Sequence, residues 1–238
     1  ILNQFEFIFK CFKYKNEIKT ISWGDIVARI FNKYNHANFD VYNVRGDTLR
    51  QKLEPYFQKG DIAAVVYSNP NNPCWICFSD KELQIIGELC TTYDVIAIED
   101  LAYFGMDFRQ DTSKPGVAPF VPSIANYTDN CMLMISGSKS FSLAGQRFSM
   151  TVISDKLFNS KAETLIPNFE TDCFGKAYIF GLYAISSGVT HSLQYGMIAL
   201  LKATSDGVYD FCTPIKEYAE RAKVMKRLFI DDGCHLVY

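Results

Sequence analysis

Three unbroken apolar runs, I-A-A-V-V-Y-S at 62–68, V-I-A-I-E-D at 95–100 and C-M-L-M-I-S at 131–136, each end in polar residues. A strand with one face in water alternates apolar and polar side chains. A continuously apolar strand is covered on both faces, which is the condition of a parallel sheet packed between helices. K-T-I-S-W (19–23), F-D-V-Y-N-V (39–44) and M-T-V-I-S (150–154) are further candidate strands. Between the first two runs lies S-D-K-E-L-Q-I-I-G-E-L-C-T-T-Y, which starts with a capping box of Ser79 and Glu82 and carries an apolar face of Leu83, Ile86, Leu89 and Cys90. Strand, helix and strand in that order form a βαβ unit, so the expected fold class is α/β, a mostly parallel sheet with helices on both faces. The strand at 150–154 leads into helical sequence, and a long amphipathic helix is expected from Tyr209 to Phe229, ending near Gly233 as its C-cap. Pro115, Pro119 and Pro122 mark 109–130 as a stretch without regular structure.

The 238 residues suffice for a sizeable core, and 48% apolar with 21% charged residues is the balance of a soluble globular protein. A net charge of −2 without a basic block gives no reason to expect a nucleic-acid or membrane partner. The apolar start I-L-N-Q-F-E-F-I-F-K-C-F is interrupted by Asn3, Gln4, Glu6 and Lys10, and it lacks the basic start and cleavage site of a signal peptide. Eight cysteines scattered from Cys11 to Cys234 form no compact disulfide framework, which points to a reducing, cytoplasmic setting.

Polar residues cluster where the three apolar runs end: Ser68 to Asn72, Glu99 to Tyr103, and Ser136 to Arg147. The carboxyl edge of strands is where open α/β sheets bind ligands. Taken singly, each cluster is explained as a helix cap or a turn. Lys139 resists that explanation. A partly desolvated lysine amine forms a Schiff base with a carbonyl; hydroxyls at a strand-to-helix turn with a nearby arginine suit a phosphate; a buried carboxylate such as Asp100 keeps a ring nitrogen protonated. Pyridoxal phosphate presents all three handles.

At these points the chain resembles the fold type I pyridoxal-phosphate enzymes, and among them the class I/II aminotransferases. S-N-P-N-N-P (68–73) resembles that family's N-P-x-N-P-T-G, D-L-A-Y (100–103) its D-x-A-Y, and S-G-S-K-S-F-S-L-A-G-Q-R (136–147) its S-x-S-K followed eight residues on by arginine. The spacings, 28 residues from Asn72 to Asp100 and 39 from Asp100 to Lys139, also fit. The resemblance implies Lys139 as the Schiff-base lysine, Asp100 on the pyridine nitrogen, and Asn72 and Tyr103 on the ring hydroxyl. It implies Ser136, Ser138 and Arg147 on the phosphate. Trp23, in S-W-G-D, matches the position of a ring that stacks on the cofactor, or is a core tryptophan. The implied reaction moves an amino group from an amino acid to a 2-oxo acid, with the Lys139 amine as general base and then acid. Decarboxylases, carbon–sulfur lyases and acyltransferases share the same cradle, and a non-catalytic cofactor-binding domain is a further alternative. A homodimer is implied as well.

Two departures stand out. Cys74 and Trp75 occupy the places of the family's Thr-Gly, so this turn is made without the permissive glycine, and a bulky Trp75 there would wall the substrate pocket. Cys74 and Cys77 spell C-W-I-C, the spacing of a dithiol redox site or half a zinc site. The sequence offers no second C-x-x-C and no suitably spaced pair among His36, His191 and His235, so no metal site is expected and the thiols are read as incidental. By the same resemblance, residues 1–208 are a cofactor-binding large domain whose N-terminal part is expected to be missing. Residues 209–238 are an interdomain helix and the start of a small C-terminal α+β domain.

Overall fold

The computed structural model describes residues 21–22, 45–72, 75–112, 117–210 and 213–235. Trp23, Cys74 and the candidate strand at 39–44 lie outside them. Among the described residues, five strands form one sheet in chain order: β1 (Ile21–Ser22), β2 (Ala64–Ser68), β3 (Ile96–Leu101), β4 (Cys131–Ser136) and β5 (Ser149–Ile153). The first four run parallel and β5 runs antiparallel to β4. The fold class is therefore the expected one, α/β with a mostly parallel sheet, and the four longer strands fall within a residue or two of the runs read from the sequence.

Alternation along the strands sends their side chains into two cores. On one face Val65, Tyr67, Ala97 and Cys131 pack with Leu49, Leu53 and Phe57 of α1 (Asp47–Phe57) and with Leu83, Ile86 and Leu89 of α2 (Asp80–Thr92). On the other, Ala64, Val66, Ile96, Ile98, Met132 and Met134 meet Leu157, Leu165, Phe174, Ala177 and Tyr178. Both faces of β2, β3 and β4 are thus dry, which is why their sequences do not alternate.

The capping box read from the sequence is present: Ser79 Oγ accepts from the Glu82 N–H, and the Glu82 carboxylate accepts from the Ser79 N–H at 2.9 Å. Glu82 does more than cap. It also pairs with the Arg45 guanidinium and accepts from the Gly46 N–H at 3.0 Å, so one carboxylate joins the starts of α1 and α2.

Beyond β4 come α3 (Gly137–Ser140), α4 (Asp155–Phe158), α5 (Ile166–Phe169), α6 (Phe174–Ser186), α7 (His191–Ser205) and α8 (Thr213–Asp231). The last helix begins at Thr213 rather than Tyr209, in keeping with Pro214 as a first-turn residue. It ends as expected at Gly233, whose φ is 86°. The Gly233 N–H donates to Ile230 O and the Cys234 N–H to Phe229 O, the two bonds of a Schellman motif. The 109–130 stretch is irregular among its described residues except for a 3-10 turn at Ile124–Asn126. No described helix is long and apolar enough to cross a membrane.

Candidate active site

The parallel register sets the carboxyl ends of β2, β3 and β4 side by side. Asp100 lies opposite Ser68 on one neighbour and Met134 on the other, and Ser136 follows Met134 by one pleat on the same face. The chain leaves each strand there in a tight turn. The three polar clusters read from the sequence therefore stand at one edge of one sheet.

Asn72 and Tyr103 meet directly, the amide Nδ2 donating to the phenol oxygen at 3.1 Å. Lys139 Nζ stands over the Tyr103 ring, 6.0 Å from its centroid. The lysine is exposed, so the partly desolvated pocket expected around it is not formed among the described residues. Its turn is nevertheless tied to the tyrosine segment, because Ser140 Oγ donates to the carbonyl of Phe104 at 2.6 Å. Asp100 is half-buried, and its Oδ1 accepts from the Ala102 N–H at 2.9 Å. Burial raises its pKa above the ordinary carboxylate value, against the pull of that N–H. Among the described residues no basic side chain forms an ion pair with it.

The candidate phosphate residues lie beyond. Ser136 is buried and its hydroxyl accepts from the Ser138 N–H at 3.1 Å, capping α3. Arg147 is exposed, has left-handed backbone (φ 56°, ψ 46°), and donates to Ala144 O at 2.9 Å. It lines a cavity of about 480 Å³ together with Ser149, Thr151 and Tyr178, on the sheet face that carries Asp100 and Ser136. Lys139, Asp100 and Tyr103 are not among that cavity's lining residues.

Three supporting residues escaped the sequence reading. Glu99, next to Asp100, points to the opposite face and is fully buried. Its carboxyl accepts from Asn69 Nδ2 at 3.1 Å, Ser123 Oγ at 2.9 Å and the Ile124 N–H at 3.1 Å, while burial pushes its pKa up. Asn69 in turn accepts from the Phe78 N–H at 3.0 Å through Oδ1, and its own N–H donates to Asp100 O at 3.0 Å. Glu99, Asn69 and Ser140 thus hold the turns that present Asn72, Asp100 and Lys139. Strand alternation was the available signal for Glu99: of two adjacent acids on a strand covered on both faces, one must face the core opposite the other.

The turn without glycine is closed by Trp75 in left-handed backbone, φ 55°. Its N–H donates to Asn71 O at 2.7 Å. Such a conformation costs a bulky residue about 1–2 kcal/mol. The indole offsets this with two ring contacts, stacked on Phe108 at 5.3 Å and inclined at 66° to Tyr103 at 5.2 Å, each worth about 0.5–1.5 kcal/mol beyond area burial. Trp75, Tyr103, Phe104, Phe108 and Phe141 pack against buried Met106 in a small hydrophobic group. Cys77 is buried, and its thiol is pushed up to about 12 by burial and the nearby Asp107 charge, far from the lowered value of a redox thiol.

The donor set fits a ligand with a protonatable ring nitrogen for Asp100, a ring oxygen for Asn72 and Tyr103, and a carbonyl for the Lys139 amine. Comparison with known proteins gives the family and the fold. The family described as "Aminotransferase class I and II" matches residues 8–230. Nicotianamine aminotransferase 1 of Oryza sativa subsp. japonica is 28% identical over 220 residues, covering 86% of this chain and 43% of the relative. Cystathionine beta-lyase PatB of Bacillus subtilis is 26% identical over 113 residues, 47% of this chain and 28% of the relative. Aspartate aminotransferase from Thermotoga maritima superposes with a TM-score of 0.57 at 20% identity, over 81% of this chain and 43% of that one, and so shares the fold. The chain spans less than half the length of these curated relatives.

Proposed function

We propose that this chain, which belongs to the aminotransferase class I and II family, binds pyridoxal 5'-phosphate and transfers an amino group between an amino acid and a 2-oxo acid. The observation that carries the reading is the meeting of Asn72, Tyr103 and Lys139 beside Asp100 at one sheet edge. When bound, the cofactor supplies an electron sink for the carbanion at the substrate α-carbon. The rest falls to the protein. Asp100, whose carboxyl is short of a cationic partner among the described residues, would hold a proton on the ring nitrogen. Asn72 and Tyr103 would orient the ring through its hydroxyl, and Ser136, Ser138 and Arg147 would hold the phosphate. Lys139 would hold the cofactor's aldehyde carbon, and its freed amine would take the substrate α-proton and deliver it to that same cofactor carbon. Trp23 keeps its proposed stacking role on the resemblance alone.

The same reading makes residues 1–208 part of a cofactor-binding large domain and α8 the helix leading to a small one. It also makes the protein a homodimer in a reducing, cytoplasmic setting, a reading that rests on the family resemblance and the scattered cysteines of the sequence.

A yellow protein whose colour is bleached by borohydride, with the reduced adduct on the peptide of Lys139, is the expected result, and Lys139→Ala should lose both adduct and turnover. An adduct on Lys156 or Lys176 would overturn the assignment. An amino-acid panel then identifies the reaction. Release of a 2-oxo acid that depends on a second 2-oxo acid is transamination. Ammonia with pyruvate is lyase chemistry, the reading favoured by the likeness to cystathionine beta-lyase PatB. Carbon dioxide means decarboxylation, and a stable adduct without turnover means a binding domain.

A further inference from the structure

Trp75 touches both halves of the Asn72–Tyr103 pair. Its backbone N–H closes the turn that carries Asn72, at 2.7 Å from Asn71 O, and the Asn71 N–H returns to Ile76 O at 2.8 Å. Its indole lies against the Tyr103 ring, 5.2 Å between centroids, and is itself backed by Phe108 at 5.3 Å. The left-handed backbone at Trp75 is what lets one residue do both. Ordinary packing does not account for it. The residue is only half-buried, its conformation is disfavoured for a bulky side chain, and its indole N–H is buried without a partner among the described residues.

From these contacts we infer that Trp75 is a positioning residue for the reaction: it braces Tyr103 so that the phenol stays in hydrogen-bond reach of Asn72 and beneath Lys139. This rests on the function proposed above, in which Asn72 and Tyr103 hold the cofactor's ring oxygen. With the cofactor bound, a hydrogen-bond donor fixed on that oxygen would favour the oxygen's deprotonated form. Loss of the donor raises the pH at which the chromophore gives up its proton.

Trp75→Gly tests the brace cleanly, because glycine adopts the left-handed conformation without strain and keeps the turn while removing the ring. Trp75→Phe keeps a ring and loses the buried N–H. With pyridoxal 5'-phosphate bound, the pH midpoint of the visible absorbance should rise in Trp75→Gly in the same direction as in Tyr103→Phe. It should rise no further in the double variant, and Trp75→Phe should restore most of the wild-type midpoint. A wild-type midpoint in Trp75→Gly, or shifts that add fully in the double variant, would overturn the inference. If the wild-type protein forms no coloured adduct, the proposed function fails, and the brace is decided on the cofactor-free protein by the NMR position of the Asn72 side-chain amide. Trp75→Gly should move that signal to where Tyr103→Phe places it, while Trp75→Phe leaves it in place; a Trp75→Gly signal at the wild-type position refutes the brace.

Discussion

Ser140 Oγ donates to the Phe104 carbonyl at 2.6 Å, and this bond joins the turn bearing Lys139 to the turn bearing Tyr103. The two turns follow different strands, so the relative placement of amine and phenol depends on bonds of this kind as well as on the sheet. Ser140 is buried, and Ser140→Ala leaves the carbonyl without that donor, a loss of about 1 kcal/mol in stability. If the bond also positions Lys139, turnover should drop by more than stability accounts for, toward the roughly hundredfold loss that a 1 Å misplacement brings. Urea unfolding and steady-state rates on the same variant separate the two; a normal rate with lowered stability would reduce the bond to packing.

Asp100 makes the opposite prediction. Its carboxyl is half-buried and accepts from the Ala102 N–H, and burial raises its pKa. For an acid with a raised folded-state pKa, the charged form is disfavoured by folding. Stability then declines as pH rises above the unfolded value of 3.8. Asp100→Asn removes that charge, so the cofactor-free protein should be as stable as wild type or more so at neutral pH. Activity should fall at least about a hundredfold, because the variant cannot stabilise charge on the ring nitrogen. A lowered melting temperature with a near-normal rate would make Asp100 a turn residue.

The centre of the sheet was legible because β2, β3 and β4 are buried on both faces, which leaves unbroken apolar runs that end abruptly where the chain reaches the edge. The same abrupt ends displayed the site residues, and the Ser79 capping box and Gly233 were readable because each is local chemistry within a few residues. What stayed hidden depends on contacts distant in sequence. Glu99 draws on Asn69 and Ser123, thirty and twenty-four residues away, and Glu82 on Arg45, thirty-seven away. No local pattern announces such partners. The left-handed backbone at Trp75 was hidden for another reason: propensity argues against a tryptophan there, and only the rings of Tyr103 and Phe108 make the conformation affordable.

Gly87 sits within α2, where helix propensity alone favours alanine by about 1 kcal/mol. Packing reverses the sign. A Cβ at Gly87 would lie 2.6 Å from Tyr127 Cβ and 2.9 Å from Tyr127 O, and neither backbone nor Cβ can swing aside. Gly87→Ala should therefore destabilise by about 1–3 kcal/mol, as overpacking does. Thermal unfolding decides it; a raised melting temperature would mean that the 3-10 turn at Ile124–Asn126 yields easily.

Glu82 gives the protein an acid-sensitive joint between α1 and α2. Burial opposes its ionisation, yet donors from Arg45, Ser79 and Gly46 outweigh that and bring its pKa from 4.5 down to about 2. A depressed folded-state pKa contributes stability that is fully present above the unfolded value and is lost as pH falls through the folded one, so the window here runs from about 4.5 to about 2. At about 1.4 kcal/mol per pKa unit, the contribution is on the order of 3 kcal/mol. The Glu82 side chain is 3% exposed, so solvent screening reduces it little. Wild-type stability should thus fall as pH is lowered through this window. Glu82→Gln should be less stable than wild type at pH 6 and should lose most of the difference by pH 2, because the wild-type carboxyl is then protonated too. Equal pH dependence of the two proteins in urea unfolding would show that the Arg45–Glu82 joint does not govern acid stability.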